Sequence, residues 1–411
     1  MREPPGVEVD REKQPRRRSI GPRELIALLS LTMALTAISI DMMLPAFGEM
    51  RSTFGMDADS PRISATVTAL FIGLASAQIL YGPFSDRFGR RPVLFTGFGL
   101  YAIGAAGSAL APTFGLLLVS RFLWGAGAAG ARVVSLAIVR DSYRGDQMAR
   151  IMSLLTAVFI TVPVLAPSIG AGIIAFLPWR AIFWFCVIYV TVVAGWAVLR
   201  LPETLDPSAR IPLRFDRVAR TARAVLSQRT AMAYAAATML LFGVFSSYLG
   251  SSQVIVDDVF DLGSRFPLIF GGMALLMGVA ALTNASVVER FGARRIVHAV
   301  MTAYVVAAVA LVGLALATHG RPGFWPFTIV LASLLFSNAL LNPNLSTLAM
   351  EPMGEMAGTA SALIGTAQIG GGALIGSFID GAYDGTVTPM ATAFLAMGVL
   401  AWLVIRWVPR D

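Results

Sequence analysis

Twelve apolar runs of about twenty residues each punctuate the chain, at about 24–46, 63–82, 93–111, 115–139, 149–173, 180–199, 230–253, 266–286, 296–317, 325–348, 357–379 and 389–408. A run of that length crosses the roughly 30 Å hydrocarbon core of a bilayer as an α-helix. With no water there to satisfy backbone N–H and C=O groups, runs this long are expected to be helical. The predicted fold is an all-α integral membrane protein with twelve transmembrane helices. Composition leaves room for little else: 56% of the 411 residues are apolar and 14% charged, against about a quarter charged in an ordinary soluble domain. What lies between the runs is too short for a soluble catalytic domain of about 100 residues, so the chain is not expected to be an enzyme. The single cysteine, Cys186, sits in an apolar run, which offers neither a disulfide framework nor a thiol metal site. No cofactor or metal is expected, and no G-x-x-x-x-G-K-[ST] loop for ATP occurs.

The net charge is +8, carried by 31 Arg and a single Lys. An even number of spans puts both termini on one face, and the basic residues choose which face that is. With the termini lie Arg2, Arg11, Lys13, Arg16, Arg17, Arg18 and Arg23, and the loops holding Arg87/Arg90/Arg91, Arg140/Arg144/Arg150 and Arg290/Arg294/Arg295. The stretch from Arg200 to Arg229, and Arg406 with Arg410, share that side, giving 25 basic residues against five opposite: Arg51, Arg62, Arg180, Arg265 and Arg321. The positive-inside rule then predicts a multi-pass protein of the cytoplasmic (inner) membrane with both termini cytoplasmic. Basic runs on a nucleic-acid-binding protein have no reason to alternate loop by loop, so no nucleic-acid partner is expected. The opening Met1–Ile20 is followed by a run too long for a signal sequence, and the first span is expected to stay in the membrane.

The polar stretch Leu201–Gln228 is the one long interruption, and it divides the spans six and six. The expected organisation is a cytoplasmic tail 1–22, a six-helix half 23–200, a cytoplasmic central loop 201–229, a second six-helix half 230–408 and a short end 409–411. An internal repeat supports the cut. Gly82-Pro-Phe-Ser-Asp86-Arg87-Phe88-Gly89-Arg90-Arg91 returns 203 residues later as Ala285-Ser-Val-Val-Glu289-Arg290-Phe291-Gly292-Ala293-Arg294. Duplicated six-helix halves around a central pathway suit an alternating-access carrier.

The stretch Gly82–Arg91 resembles the G-x-x-x-D-R-x-G-R-R loop between helices 2 and 3 of the major facilitator superfamily. Arg121-Phe-Leu-Trp-Gly125-Ala-Gly127 resembles the arginine motif of its proton-coupled members. Pro163-Val-Leu-Ala-Pro167-Ser-Ile-Gly170 resembles the helix 5 motif of its exporters, with Ala166 where that motif has glycine. With Asp41-Met-Met-Leu-Pro45, Val139-Arg140-Asp141 and Leu201-Pro-Glu-Thr204, the pattern along the whole chain is similar to the Bcr/CflA group of multidrug exporters. That resemblance implies a proton antiporter that uses no cofactor besides protons, carries small molecules, has the lipid bilayer as its surroundings and works as a monomer. Members of the group often carry a second acidic residue on helix 1; the corresponding turns here hold Met33, Leu35 and Ile38.

Gly82 is expected where two helices approach closely. Asp86 is placed at the cytoplasmic mouth, within reach of the positive N-terminus of span 11 near Gly358-Thr359. Arg87, Arg90 and Arg91 are expected to pair with Asp141 or Glu355 and to hold that mouth shut, with Gly89 in the turn and Glu289, Arg290 and Gly292 as the counterpart in the second half. A merely solvated basic loop is the competing reading. Inside the spans the ionisable residues are Asp41, Arg121 and Arg132, and charge at that depth is costly unless paired or facing water. Asp41 and Arg121 each lie about 10 Å below the outer surface by helical rise and are candidates for a proton-coupling pair or for a permanent structural ion pair. Arg132, eleven residues past Arg121, is either an anion contact in the cavity or a structural residue reaching towards the cytoplasmic end. Trp124, Tyr248, Gln253, Asn338, Asn342 and Gln368 are candidate cavity-lining residues. The glycines of spans 3, 4 and 11 are expected to allow close helix packing.

The expected function is proton-coupled export of small hydrophobic compounds by alternating access. A proton-coupled carrier of one organic anion or polar metabolite, with Arg132 as its contact, is the alternative. A membrane sensor that has lost transport is a third reading, disfavoured because neither the mouth loop nor the Asp41 and Arg121 charges need persist without a transport cycle.

Overall fold

The computed structural model describes residues 20–57, 60–210 and 215–407. The tail before residue 20 and the last four residues, which the sequence assigns to the cytoplasm, lie outside the described residues. Every regular element among the described residues is helical. Twelve long helices follow one another as α1 (Pro22–Asp41), α2 (Ala65–Phe88), α3 (Arg90–Leu110), α4 (Phe114–Ser142), α5 (Gly145–Ile174) and α6 (Arg180–Arg200), then α7 (Arg229–Asp258), α8 (Phe266–Phe291), α9 (Ala293–Ala317), α10 (Phe324–Met350), α11 (residues 357–381) and α12 (Thr388–Arg406). Among the described residues eleven segments are long and apolar enough to cross a membrane, and α5 is a 30-residue helix with an apolar stretch at Thr161–Ile174.

Local chemistry explains the breaks. The first run is one span in sequence but two helices in space: α1 stops at Asp41, a turn over Leu44–Ala46 carries Pro45, and the short helix Phe47–Thr53 follows. Proline has no N–H for the helical ladder, so the chain bends there. The turns from α2 to α3 and from α8 to α9 are made by Gly89 at φ 100° and Gly292 at φ 76°, a backbone region that a side chain disfavours. The repeat seen in the sequence is therefore also a repeat of backbone geometry. In α11, a π-helical turn over Ala367–Gly371 separates Ala357–Thr366 from Gly372–Gly381.

The first half packs α4 against α2, α3 and α1, and the second packs α7 against α10, α11 and α12. The halves meet along α5 with α8 and along α2 with α11. Glycines set the closest approaches, as expected for spans 3 and 4: a Cβ on Gly104 would strike the backbone of Trp124, and one on Gly127 that of Tyr101. Gly170 of α5 faces α1 in the same way. A Cβ there would strike the carbonyl oxygen of Met42, so Gly170→Ala has to push two helices apart. We expect it to destabilise the protein by about 1–3 kcal/mol, the usual cost of overpacking. A thermal midpoint of the Gly170→Ala variant equal to the parent's would contradict that packing.

Apolar side chains that a soluble protein would bury, such as Ile103, Val192, Leu268, Leu282 and Phe378, are exposed around the outside. They form the lipid-facing surface. Near the face that carries the termini, Arg229 lies over Trp407 and Arg406 over Trp402, with guanidinium carbons 5.7 and 4.7 Å from the ring centroids. Glu24 of α1 receives two 2.7 Å hydrogen bonds from Arg200 of α6 on the same face. The central segment divides between the halves. Leu201–Leu205 is packed with the first half through Glu203, whereas the amphipathic helix Phe215–Ser227 rests on α7 and α11 with Thr221 and Val225 buried.

Candidate functional site

Between the halves lies a cavity of about 530 Å³, lined from α1, α2, α4, α5, α7, α8, α10 and α11. Its deep end holds Asp41 and Tyr248, both only 4% exposed. Its other end reaches Met350 and the exposed Ser361, on the face that carries the termini. The cavity is open towards that face and closed towards the opposite one.

Asp41 enters the cavity because α1 ends there, which leaves its carboxylate facing α7 and α8. Aromatic rings line the same cavity: Phe71 against Phe242 at 5.4 Å, and Tyr248 stacked on Phe270 at 5.7 Å. Arg121 is not its partner, contrary to expectation. Among the described residues no ion pair joins the two. Arg121 is fully buried within the first half, where its Nη2 donates to the Ser39 carbonyl at 2.8 Å and its Nε to the Thr66 carbonyl at 3.2 Å. Its guanidinium also lies 4.8 Å from the Trp124 ring centroid. The reason is angular. Ser39 is two residues before Asp41, about 200° around the helix, so the carbonyl that Arg121 grips and the carboxylate in the cavity leave α1 on different sides.

Arg132 lines the cavity nearer the open end. Tyr248, Asn342 and Gln368 also line it, with the Gln368 Nε2 donating to Asn342 Oδ1 at 2.9 Å. Three other expected lining residues do not. Trp124 is 1% exposed and packs edge-on against Tyr101 and Phe183 in the core of the first half. Asn338 is buried against α7, its Nδ2 donating to the Leu241 carbonyl at 3.2 Å. Gln253 lies buried beside Asp257 towards the closed face. In a helix apolar on every side, nothing in the sequence marks which polar residue faces the cavity. Pro163 of the helix 5 motif lines the cavity, Pro167 is buried within α5 and Gly170 seats α1.

On the terminal face the expected gate residues form a cluster, but inside one half. Arg90 is 7% exposed and its guanidinium is shared. Nε donates to Asp141 Oδ2 at 2.7 Å, Nη2 to Asp141 Oδ1 at 3.3 Å, and Nη1 to Asp86 and to Ser85 Oγ. Asp86 is engaged by Arg90, four residues on; its expected contact with the N-terminus of α11, and that of the arginines with Glu355, fall on side chains at 354–358 that lie outside the described residues. Glu203 is the member that the sequence reading missed. Its two carboxylate oxygens accept the backbone N–H groups of Arg90 and Arg91 at 2.9 and 3.1 Å and cap α3. A Cβ on Gly89 would meet that carboxylate at 2.5 Å, so the glycine serves both the positive φ and the seat of Glu203. Arg91 turns to the Val198 carbonyl at 2.7 Å, and Arg87 lies over the neighbouring Phe88 ring. Gly82 was expected at a close helix contact, yet among the described residues nothing lies within 4 Å of where its Cβ would be. In the second half Glu289 and Arg290 are exposed and Gly292 likewise faces open space.

The closed face was also missed. Asp380, near the end of α11 and 3% exposed, accepts hydrogen bonds at 2.6 Å from both Ser247 and Ser251 of α7. Ser64, from the turn before α2 in the other half, reaches the same carboxylate. Arg51 of the first half lies 4.0 Å from Asp258 of the second. Asp380 sits one residue beyond the end assigned to span 11, which is why it escaped the inventory of membrane charges.

Comparison with known proteins agrees with this architecture. The family model described as Major Facilitator Superfamily matches residues 29–377. A bicyclomycin resistance protein homolog of Haemophilus influenzae is 29% identical over 379 residues, covering 92% of this chain and 94% of that protein. The multidrug resistance protein MdtL of Escherichia coli is 29% identical over 356 residues, covering 86% and 87%. Among solved structures, a D-xylose-proton symporter superposes with a TM-score of 0.75 at 17% identity, over 94% of this chain and 97% of that one.

Proposed function

The chain belongs to the Major Facilitator Superfamily, and from that premise we propose that it exports small, largely hydrophobic compounds across the cytoplasmic membrane in exchange for protons. The observation that carries the reading is the cavity: about 530 Å³, walled mainly by aromatic and aliphatic side chains, with one carboxylate, Asp41, at its closed end. Such a site takes many apolar molecules loosely and fixes them with few polar contacts. The relatives named for bicyclomycin and multidrug resistance support drugs as the cargo. The excess of basic residues on the terminal face supports a cytoplasmic location for both termini. The cavity then faces the cytoplasm, ready to load.

Asp41 is the residue best placed to carry the proton. Its carboxylate is buried, faces the pathway and forms no ion pair among the described residues, so protonation changes the charge in the cavity where substrate sits. A proton and a substrate that compete for one carboxylate give antiport without a further device. Arg121 is a positioning residue in this scheme: it ties the end of α1, just before Asp41, to α2 and α4.

The test is expression in a host stripped of its own exporters, with a panel of antibacterial compounds, followed by proteoliposomes with an imposed pH gradient. Raised resistance to several apolar compounds, and their gradient-driven movement with counterflow of protons, is the expected result. Unchanged resistance across the panel, with gradient-driven uptake of a single polar metabolite, would replace this reading by that of a specific carrier.

A further inference from the structure

At the closed face one buried carboxyl group collects hydroxyls from both halves. Asp380 of α11 is 3% exposed, and its Oδ1 accepts hydrogen bonds at 2.6 Å from Ser247 and Ser251, one turn apart on α7. Its Oδ2 lies against Gly250 and near Ser64: a Cβ on Gly250 would stand 2.5 Å from that oxygen and 3.0 Å from the Ser64 Cβ. Ser64 belongs to the first half, and its side chain is hydrogen-bonded to the same carboxyl group. Among the described residues no ion pair reaches Asp380, and it is not one of the residues lining the central cavity.

The hydrogens of this seam can be counted. A serine hydroxyl has a single hydrogen to give. Ser247 and Ser251 give theirs to Asp380 Oδ1, whereas Ser64 gives its own to the Pro61 carbonyl at 2.7 Å. The contact between Ser64 Oγ and the carboxyl group therefore lacks a hydrogen unless Asp380 supplies it, and only the protonated acid has one. An ionised carboxylate here would be buried among neutral hydroxyls with no cation, and would draw the Ser64 hydrogen away from Pro61. Among the described residues, the charged groups on the elements packed around Asp380 are engaged elsewhere. On α7, Asp257 pairs with Gln253, and Asp258 with Arg51 and Tyr383. Tyr248, next to Ser247, lines the cavity together with Asp41. Arg62, in the turn before α2, is exposed, and Arg121 is bound to the Thr66 carbonyl. Asp384, beyond the end of α11, accepts from Thr386, and α12 carries no charge before Arg406.

We propose that Asp380 is a second proton-binding site, filled from the face opposite the termini, and that the mouth on that face seals with the proton in place. Oδ2 takes the proton from hydronium and leaves water. The new O–H donates to Ser64 Oγ, Ser64 keeps its bond to Pro61, and an unbroken chain of hydrogen bonds joins the halves. Without the proton the carboxylate is better solvated by water in an open mouth. Because Asp380 does not border the cavity, its proton returns to the side it came from when the mouth reopens. The site senses the acidity of that side and carries nothing across. Taken with the export reading, on which this consequence rests, an acidic exterior drives the emptied carrier back to the conformer that loads from the terminal face, while Asp41 does the carrying.

Spin labels on Ser52→Cys in the first half and Ala382→Cys in the second, both exposed on the closed face, report the opening of that mouth in the purified full-length protein without substrate. The buried Cys186 stays in place. On raising the pH from about 5 to about 8, the population with a long inter-label distance should grow about tenfold, the shift that one hydrogen bond between conformers produces. Asp380→Asn, whose amide keeps a hydrogen for Ser64 at every pH, should stay at the low-pH population throughout. Ser64→Ala removes the acceptor and should leave the mouth as open at low pH as the parent's is at high pH. Asp41→Asn should keep a response of the parental sign, which separates the two carboxyl groups. A parent population that does not change or that falls as the pH rises, a parental response kept in Asp380→Asn, or no response in Asp41→Asn overturns the proposal. Failure of the export reading is seen separately, as a resistance panel without effect, and leaves these substrate-free populations as they are.

Discussion

Asp41→Asn should leave the protein folded and able to bind apolar compounds, yet reduce export driven by a pH gradient to the rate measured without one. The substitution keeps the shape of a protonated carboxyl and fixes its charge at zero, so the step at which proton and substrate exchange places is lost. Because no ion pair links Asp41 to Arg121 in this conformation, the two residues should fail differently. Arg121→Ala leaves the Ser39 and Thr66 carbonyls and a fully buried space without their occupant, and a loss of stability accompanies its loss of transport. Proteoliposome export and proton release on substrate addition give the readout, with thermal melting to separate the two variants. Export by Asp41→Asn at the parental rate and with the parental pH dependence would remove Asp41 from the proton path and direct attention to Asp380.

The second large effect is expected at Arg90. This guanidinium is almost wholly buried and joins Asp86, Asp141 and Ser85. Arg90→Ala leaves two carboxylates facing one another without a cation, a loss of the kind that costs about 3–5 kcal/mol. Thermal midpoint and yield in detergent should both fall steeply. Lysine cannot reproduce the two-pronged contact with Asp141, so Arg90→Lys should recover only part of the loss. Asp86→Asn should be far milder: that side chain is 43% exposed and Arg90 retains Asp141. An Arg90→Ala variant melting with the parent would reduce the cluster to a solvated loop.

The fold was legible because the bilayer forces it: twenty apolar residues in lipid have few other ways to satisfy their backbone. The division into halves and the Asp86 loop were legible because the sequence repeats. Orientation of individual side chains was not. A soluble helix announces its core face by alternating polar and apolar sides, but α10 is apolar all round, so Asn338 and Asn342 look alike in sequence while one is bound to the backbone of α7 and the other borders the cavity. The spacing of Asp41 and Arg121 gave their common depth and said nothing of azimuth, which is why two residues at one level turned out to serve different neighbours. Glu203 escaped for another reason: a carboxylate after a helix end reads as loop until the backbone it caps is seen, 113 residues back.

The seam at the closed face sets a population. To open there the protein must release Ser64 from Asp380 and part Arg51 from Asp258, whereas the bonds from Ser247 and Ser251 stay within one half. If the pair of contacts is worth about 2 kcal/mol together, the conformer open to the far side is present at only a few per cent of the resting protein. A molecule arriving from that side therefore meets a competent partner only that fraction of the time, and its apparent affinity is about thirtyfold weaker than its intrinsic one. The same molecule approaching from the face that carries the termini pays no such tax. A few side-chain contacts at one mouth thus make the carrier far more receptive on one side of the membrane than on the other, before any gradient acts.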